Sequence, residues 1–378
     1  MDQIDEFLKD KLKTNYNTKK SYRTNINKYF TILNKDIKTY SKQTPEEIEK
    51  DLTNVFSILK EEEDRSLLVI RTIFNSVKQY LCKTDKRCKT LEFWDEIKTT
   101  TKDASPVTDD IAPNAQDIKK VLQHGNTRAR AMFLIQTSTG CRIGELIALY
   151  PEHIHLDETP VSIRIIQSYD PTKPYKVKLF TKKNKKRDSF LTTEATEAYK
   201  AYMKERDMLF KKAIKKTREK YRPVKLTGNK EIDEKLLNDY IQQDKRVFPM
   251  SDDQARGIWA RMVKKSGLYK KDSNTNRLTL HPHCLRGFFR SYLNNRDLAE
   301  HLMGHSGYLS TYRNKKIDDL GKEFLKYAMN VSVFESSPDL TDVNKEMEQL
   351  QKDNEQLRKD LDGVIALRKE LIKDMLKK

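Results

Sequence analysis

Along the first hundred positions, apolar residues recur at the spacing of helices that bury one face. Tyr22, Ile26, Tyr29, Phe30 and Leu33 form one such stripe, and Leu67, Ile70, Phe74, Val77 and Leu81 form another. Between them, Thr44-Pro45-Glu46-Glu47 offers a capping hydroxyl, a proline at the first helical position and a carboxylate three residues after the cap. It precedes the apolar set Ile48, Leu52, Val55, Phe56 and Leu59. At least three amphipathic helices are therefore predicted to pack together in a module over residues 1–98. Residues 99–113, TTTKDASPVTDDIAP, are polar, contain two prolines and have no period, which is the composition of an interdomain linker.

Helical spacing resumes at about 114–124 and 127–138, and a second unit is expected over 114–335. The runs VSIRII (161–166), YKVKLF (175–180) and RDSFL (187–191) suit strands of a small antiparallel sheet, after which helices dominate again. The expected fold class is mainly α with a small antiparallel β-sheet, an α+β arrangement in two domains. Residues 204–225 hold ten basic and three acidic residues and fit either a long solvated helix or an insertion that grips phosphate. In the tail, 340–378, Val343, Leu350, Leu357, Val364 and Leu371 recur every seventh position. Met347, Asn354, Leu361 and Met375 fall on the companion positions, interrupted by Arg368. That pattern fits a short coiled coil able to support a dimer contact, or one helix folded back on the body.

Composition narrows the partner. Of 378 residues, 74 are Lys or Arg and 56 are Asp or Glu, a formal charge of +18, and the pI is near 9.4. Such an excess points to a polyanion, nucleic acid first. A mean hydropathy of −0.82 with no long apolar run excludes a helical membrane protein, and the start MDQIDEFLKDKLK lacks the apolar stretch of a signal peptide. A cytoplasmic location is expected. Cys82, Cys88, Cys141 and Cys284 are scattered, without a C-x-x-C pair, so reduced thiols are expected rather than a disulfide framework or structural zinc. A zinc site built from His281, His283, Cys284, His301 and His305 matches no common ligand spacing. No G-x-x-x-x-G-K-[ST] loop occurs. Neither a metal nor an organic cofactor is expected.

Three clusters mix ionisable groups with helical apolar positions: TGCRIGEL (139–146), HPHCLRGFF (281–289) and HLMGHSGYLSTYR (301–313). In this order they resemble the tyrosine recombinase (phage integrase) family, with archaeal-type members resembled around Ser310-Thr311-Tyr312-Arg313. Arg142 falls in the family's first arginine box, His283 and Arg286 in its H-x-x-R box, and His305 in its L-G-H-S box. Val247-Phe248-Pro249 resembles the short apolar segment between them. The resemblance covers about 114–333 and implies a helical core-binding domain for 1–98 and a catalytic domain for 114–335.

Metal-free transfer of a phosphodiester needs a nucleophile, a proton donor for the leaving oxygen, and fixed positive donors for the charge that builds on the phosphate. Arg142 and Arg286 suit the last task, because a guanidinium is always charged and presents a planar fork of donors. His283 shares a helix face with Arg286. The resemblance implies that His283 assists proton transfer from the tyrosine, that His305 bonds a non-bridging oxygen, and that Glu145 supports the arginines. It implies a lysine general acid toward the 5′ oxygen. Lys182 fits that role best and Lys183 next, while Lys183, Lys185, Lys186 and Arg187 suit the DNA backbone. Tyr312 is the expected nucleophile and Tyr308 the alternative; Tyr312 lies seven residues after His305, where nine is common in bacterial members. A 3′-phosphotyrosyl ester keeps the energy of the broken linkage, so no nucleotide is needed for religation.

The resemblance further implies a two-domain clamp on double-stranded DNA carrying a specific recombination site, with four protomers on two duplexes. Integration or excision of a mobile element in a prokaryotic host is the preferred role. Relaxation in the manner of a type IB topoisomerase, chromosome-dimer resolution, or DNA binding without catalysis are the rivals.

Overall fold

The structure is a computed structural model, and it describes residues 3–11, 16–40, 42–63, 65–104, 112–169, 186–217, 225–273, 275–305, 312 and 315–334. The chain divides into two compact units, with the break between Ile111 and Ala112. Tyr269–Leu280 groups with the first unit although it lies far along the chain, so the later residues are not one uninterrupted domain. Among the described residues, no helix is long and apolar enough to cross a membrane.

The first unit holds α1 (Gln3–Lys11), α2 (Tyr16–Leu33), α3 (Ile37–Tyr40), α4 (Pro45–Ser57), α5 (Leu67–Thr84) and α6 (Phe93–Thr100). The start of α4 is the reciprocal cap expected from its sequence: Glu47 N–H donates to Thr44 Oγ1 at 3.3 Å, and Thr44 N–H donates to Glu47 Oε2 at 2.8 Å. The apolar stripes of α2, α4 and α5 meet in one core in which Tyr29, Leu52, Ile70, Phe74 and Val77 are buried. The expected linker starts too early. Residues 99 and 100 continue α6, and Thr101 is buried, with Arg71 Nη1 donating to its carbonyl at 3.2 Å. Polar composition there marks a helix end rather than a tether.

The second unit carries α7 (Ala115–Gln123), α8 (Thr127–Thr139), α9 (Ile143–Leu146), β1 (Ile154–His155), β2 (Ser162–Ile165) and β3 (Arg187–Phe190). It continues with α10 (Thr193–Lys216), α11 (Lys230–Gln243), α12 (Asp252–Lys265), α13 (Pro282–Tyr292), α14 (Arg296–Leu302) and α15 (Ile317–Leu325). The sheet has the order β1-β2-β3, is antiparallel throughout, and pairs Ser162 with Phe190 and Ile165 with Arg187. Two of its strands lie within runs expected from the alternating pattern. Strand β1 was not foreseen because two residues show no alternation, and the expected strand at 175–180 lies outside the described residues, as do Tyr308 and the heptads of 340–378.

Helix α8 organises this unit. Every residue from Ala131 to Thr139 is buried, including four polar ones, and α10 and α13 pack along it. Buried polar groups must find partners. Ser138 Oγ donates to Phe190 O at 3.0 Å and accepts Thr192 N–H at 2.7 Å, which ties α8 to the end of β3. Trp259 of α12 packs on Phe133 with ring centroids 4.7 Å apart. Within the basic span, residues 204–216 extend α10, but its face is not simply solvated. Arg206 is 7% exposed and donates to the carbonyls of Arg246 and Asp244. Farther along, Phe210 and Ile214 form a small separate core with Leu237 and Ile241 of α11. Residues 218–224 lie outside the described set.

Gly140 ends α8 in the left-handed conformation, φ +59°, and a Cβ there would fall 2.5 Å from Phe289 Cδ1. Both the backbone and the close approach of α13 require glycine. Replacing Gly140 by Ala combines left-handed strain with overpacking, so a loss of roughly 2 to 4 kcal/mol is expected. Urea unfolding of the full chain checks this as a lowered midpoint with an unchanged slope.

Candidate active site

Immediately after Gly140 the chain turns into α9, and Arg142 caps that helix. The Arg142 N–H donates to Glu145 Oε2 at 2.8 Å, and its Nη1 donates to Glu145 Oε1 at 3.1 Å. From β3, Arg187 approaches the same carboxylate from the other side: Nη2 donates to Oε2 at 2.6 Å and Nη1 to Oε1 at 3.2 Å. Arg187 Nε donates to the Leu302 carbonyl at 2.9 Å. Glu145 is 1% exposed, so it is a buried anion held by two guanidiniums. Burial by itself would push its carboxyl up; the Arg187 charge and hydrogen bonds, with Arg142, outweigh this and leave it below the usual carboxylate range.

Arg286 enters from α13, whose first turn is set by Pro282 and by His281, whose Nδ1 accepts the His283 N–H at 3.2 Å. Phe288 and Phe289 are fully buried and anchor that helix against α8. The Arg286 guanidinium donates to the Gly140 carbonyl, to Met303 O at 3.0 Å, and lies 2.8 Å from His305 Nε2. Burial, then the neighbouring Arg142 charge, bring Arg286 down to about 10 despite the opposing pull of Glu145. Arg142, Arg187 and Arg286 therefore form one electrostatic cluster around a single carboxylate, with an uncompensated positive excess.

His305 is oriented from behind. Its Nδ1 is bonded to Glu300 Oε2, and Arg290 Nε donates to the other oxygen of Glu300, which is 2% exposed. With the Nδ1–H directed to Glu300, Nε2 is the lone-pair nitrogen that faces Arg286. Burial would raise Glu300, and the His305 and Arg290 hydrogen bonds prevail and keep it low. This chain Arg290–Glu300–His305–Arg286 fixes a side chain that sequence reasoning singled out through two residues that it did not.

The structure thus brings together Arg142, Glu145, Arg286 and His305. Arg187 joins them, which corrects its expected role. It is 9% exposed at the side chain and commits its donors to Glu145 and Leu302 rather than to a DNA backbone. His283 stands exposed on the first turn of α13 with its ring 6.3 Å from that of His281. Lys186 is exposed, while Lys182, Lys183 and Lys185 lie outside the described residues. Tyr312 is 7% exposed, and its hydroxyl accepts from Asn295 Nδ2 at 3.1 Å. None of the four cysteines is joined in a disulfide.

The sequence profile of the phage integrase family matches residues 111–316, more than half of the chain. The chain belongs to the phage integrase family. It is a site-specific tyrosine recombinase, an enzyme that cuts and rejoins DNA. Among curated proteins none matches the chain in sequence. The fold of the recombinase is similar to that of a lambda integrase dimer bound to a COC′ core site, at 14% identity and a TM-score of 0.50, over 83% of this chain and 98% of that one. A Tn1549 transposon integrase in complex with transposon right end DNA is similar at 16% identity and a TM-score of 0.47, over 86% and 98%. A XerH site-specific recombinase bound to a palindromic difH substrate is similar at 15% identity and 0.47, over 82% and 76%.

Replacing Glu145 by Gln removes the anion that compensates a buried guanidinium, and a loss of about 3 to 5 kcal/mol at neutral pH is expected. The folded-state carboxyl titrates below its unfolded value near 4.3, so its contribution is complete above that value and fades as pH falls through the folded one. In urea unfolding at a series of pH values, the gap between Glu145→Gln and the parent protein should stay constant above about pH 5 and close only under more acidic conditions.

Proposed function

We propose that the recombinase cuts one strand of a specific duplex site by attack of Tyr312 on the phosphorus, leaving a 3′-phosphotyrosyl link and a free 5′ hydroxyl. The observation that carries this reading is the gathering of Arg142 and Arg286 beside His305, where Arg142 and Arg187 share Glu145 and Glu300 is taken up by His305 and Arg290. A scissile phosphate placed there gains donors for its non-bridging oxygens as its charge builds, and the donors are already fixed before substrate arrives. Arg142, with 35% of its side chain exposed, is the guanidinium best able to reach outward. Arg286 and His305 form the inner wall. Lys182 supplies the proton to the departing 5′ oxygen, and exposed lysines including Lys186 hold backbone phosphates.

Double-stranded DNA is the partner, gripped by the helical first unit (1–98) and the catalytic unit (114–335), and four protomers exchange strands between two duplexes. The heptads at 340–378 assist that assembly. The element served is a mobile one, and the reaction is its integration or excision in the cytoplasm of a prokaryotic host.

The decisive experiment uses a duplex recovered from a random pool by selection on the full chain, nicked so that cleavage traps the enzyme. A covalent adduct on the 3′ phosphate should form with the parent protein and vanish in Tyr312→Phe. Arg142→Lys should slow adduct formation about 10²- to 10³-fold, since an ammonium cannot reproduce the fork. Binding without any adduct would leave only a DNA-binding protein. Adduct formation and supercoil relaxation without exchange between two labelled duplexes would leave a topoisomerase.

A further inference from the structure

The hydroxyl of Tyr312 is bonded at the head of α14. Asn295 is the N-cap of that helix, its Oδ1 accepting the Leu298 N–H at 3.1 Å, while its Nδ2 donates to the Tyr312 hydroxyl at 3.1 Å. One side-chain amide thus serves two elements, and the cap fixes which way it points. With the oxygen committed to a backbone N–H, the nitrogen is left for the phenol. Of the residues that cap helices well, asparagine alone does both: an ionised aspartate has no donor, and serine or threonine has a single short oxygen that cannot occupy both places. The ring of Tyr312 is held as well. It is buried, the Lys315 ammonium lies 4.5 Å from its centroid, and the His301 ring is 6.0 Å away.

The phosphate donors lie at the other end of the same helix. Arg187 donates to the Leu302 carbonyl and Arg286 to the Met303 carbonyl, and His305 follows two residues later, against Arg286. Helix α14 has seven residues, so its head and its tail stand roughly 10 Å apart. Among the described residues, the Tyr312 hydroxyl has no hydrogen bond to Arg142, Arg286 or His305; its partner is Asn295. A phosphate received by those three side chains sits at the tail. An oxygen bonded at the head has to leave Asn295 before it attacks.

We propose that Asn295 is a positioning residue that docks the nucleophile at the head of α14, and that release of the Tyr312 hydroxyl from its amide is a step of the cleavage reaction. This rests on the reading of Tyr312 as the nucleophile. The docked phenol is the ground state of the free enzyme, held by one neutral hydrogen bond and by the packing of its ring. A neutral bond of this kind contributes modestly, so DNA seated on the arginine cluster can displace the equilibrium toward the undocked phenol. Removing the bond raises the undocked population before DNA arrives, and attack then becomes faster rather than slower. After religation the freed phenol returns to the same amide. The cap residue of α14 therefore sets how readily the nucleophile is surrendered, while the tail of that helix holds the donors that receive the phosphate.

The test replaces Asn295 by Ser, which keeps an N-cap oxygen for the Leu298 N–H but does not reach the phenol. On the nicked duplex selected with the full chain, at saturating duplex, covalent adduct should form about 2- to 10-fold faster in Asn295→Ser than in the parent, the scale of one neutral hydrogen bond. Tetranitromethane, a reagent for phenols, gives a second readout on the free protein. Peptide masses should show Tyr312 nitrated faster in Asn295→Ser, with the exposed Tyr269 and Tyr292 modified at the parent's rate. A residue that only caps its helix would produce neither change. Asn295→Thr, with the same cap and the same short reach, repeats the measurement independently, and thermal unfolding and duplex binding confirm the fold of both. An adduct rate at or below the parent's in the folded variants would overturn the proposal, as would nitration of Tyr312 no faster than in the parent. Loss of the adduct in Tyr312→Phe beside an Asn295→Ser no faster than the parent removes only the docking role, whereas an adduct that persists in Tyr312→Phe removes the nucleophile assignment itself.

Discussion

A buried carboxylate holds the centre of this enzyme together. Three guanidiniums within one cluster repel one another, and burial together with that repulsion brings Arg286 down to about 10. Without Glu145 the arrangement would place two largely buried cations in a region of low dielectric with nothing to compensate them, which folding does not tolerate well. With it, Arg187 is neutralised, Arg142 is held in place, and an excess of positive charge remains. The anion is shared rather than matched, and the compensation is incomplete.

Precision follows from the elements behind the cluster. Arg286 bonds to main-chain carbonyls at Gly140 and Met303, so its position is tied to the end of α8 and to the turn after α14. The glycine at 140 lets α13 come close enough for that bond. A helix buried from Ala131 to Thr139 has little freedom to shift, and the residues that emerge from its end inherit that rigidity. Folding and the assembly of the site are consequently the same event for the two inner donors, whereas Arg142 keeps an exposed flank.

The sequence made much of this legible, and the gaps have physical causes. The cap at Thr44 and the stripes of α2, α4 and α5 depend on local spacing, and local spacing suffices to read them. Arg142, Arg286 and His305 are legible because they sit in compact ordered boxes. Arg187 was misread because it closes a lysine-rich run, and composition suggested a solvated role. A carboxylate in the apolar context of residues 139–146 already required more than one cation, and that was the available signal. Glu300 and Arg290 gave no such signal. Their importance comes from what α14 packs against, and neither period nor motif encodes a tertiary neighbour. Strand β1 escaped for a simpler reason, having only two residues.

The small core shared by Phe210, Ile214, Leu237 and Ile241 carries a consequence for how the chain can change. These four side chains join α11 to the far half of α10 in an apolar cluster of their own, and a small separate core of this kind is where local opening costs least. Insertions, deletions or surface charge changes in that arm are therefore tolerated far more readily than at the arginine cluster. Here the molecule can diversify its outer contacts while its chemistry stays fixed.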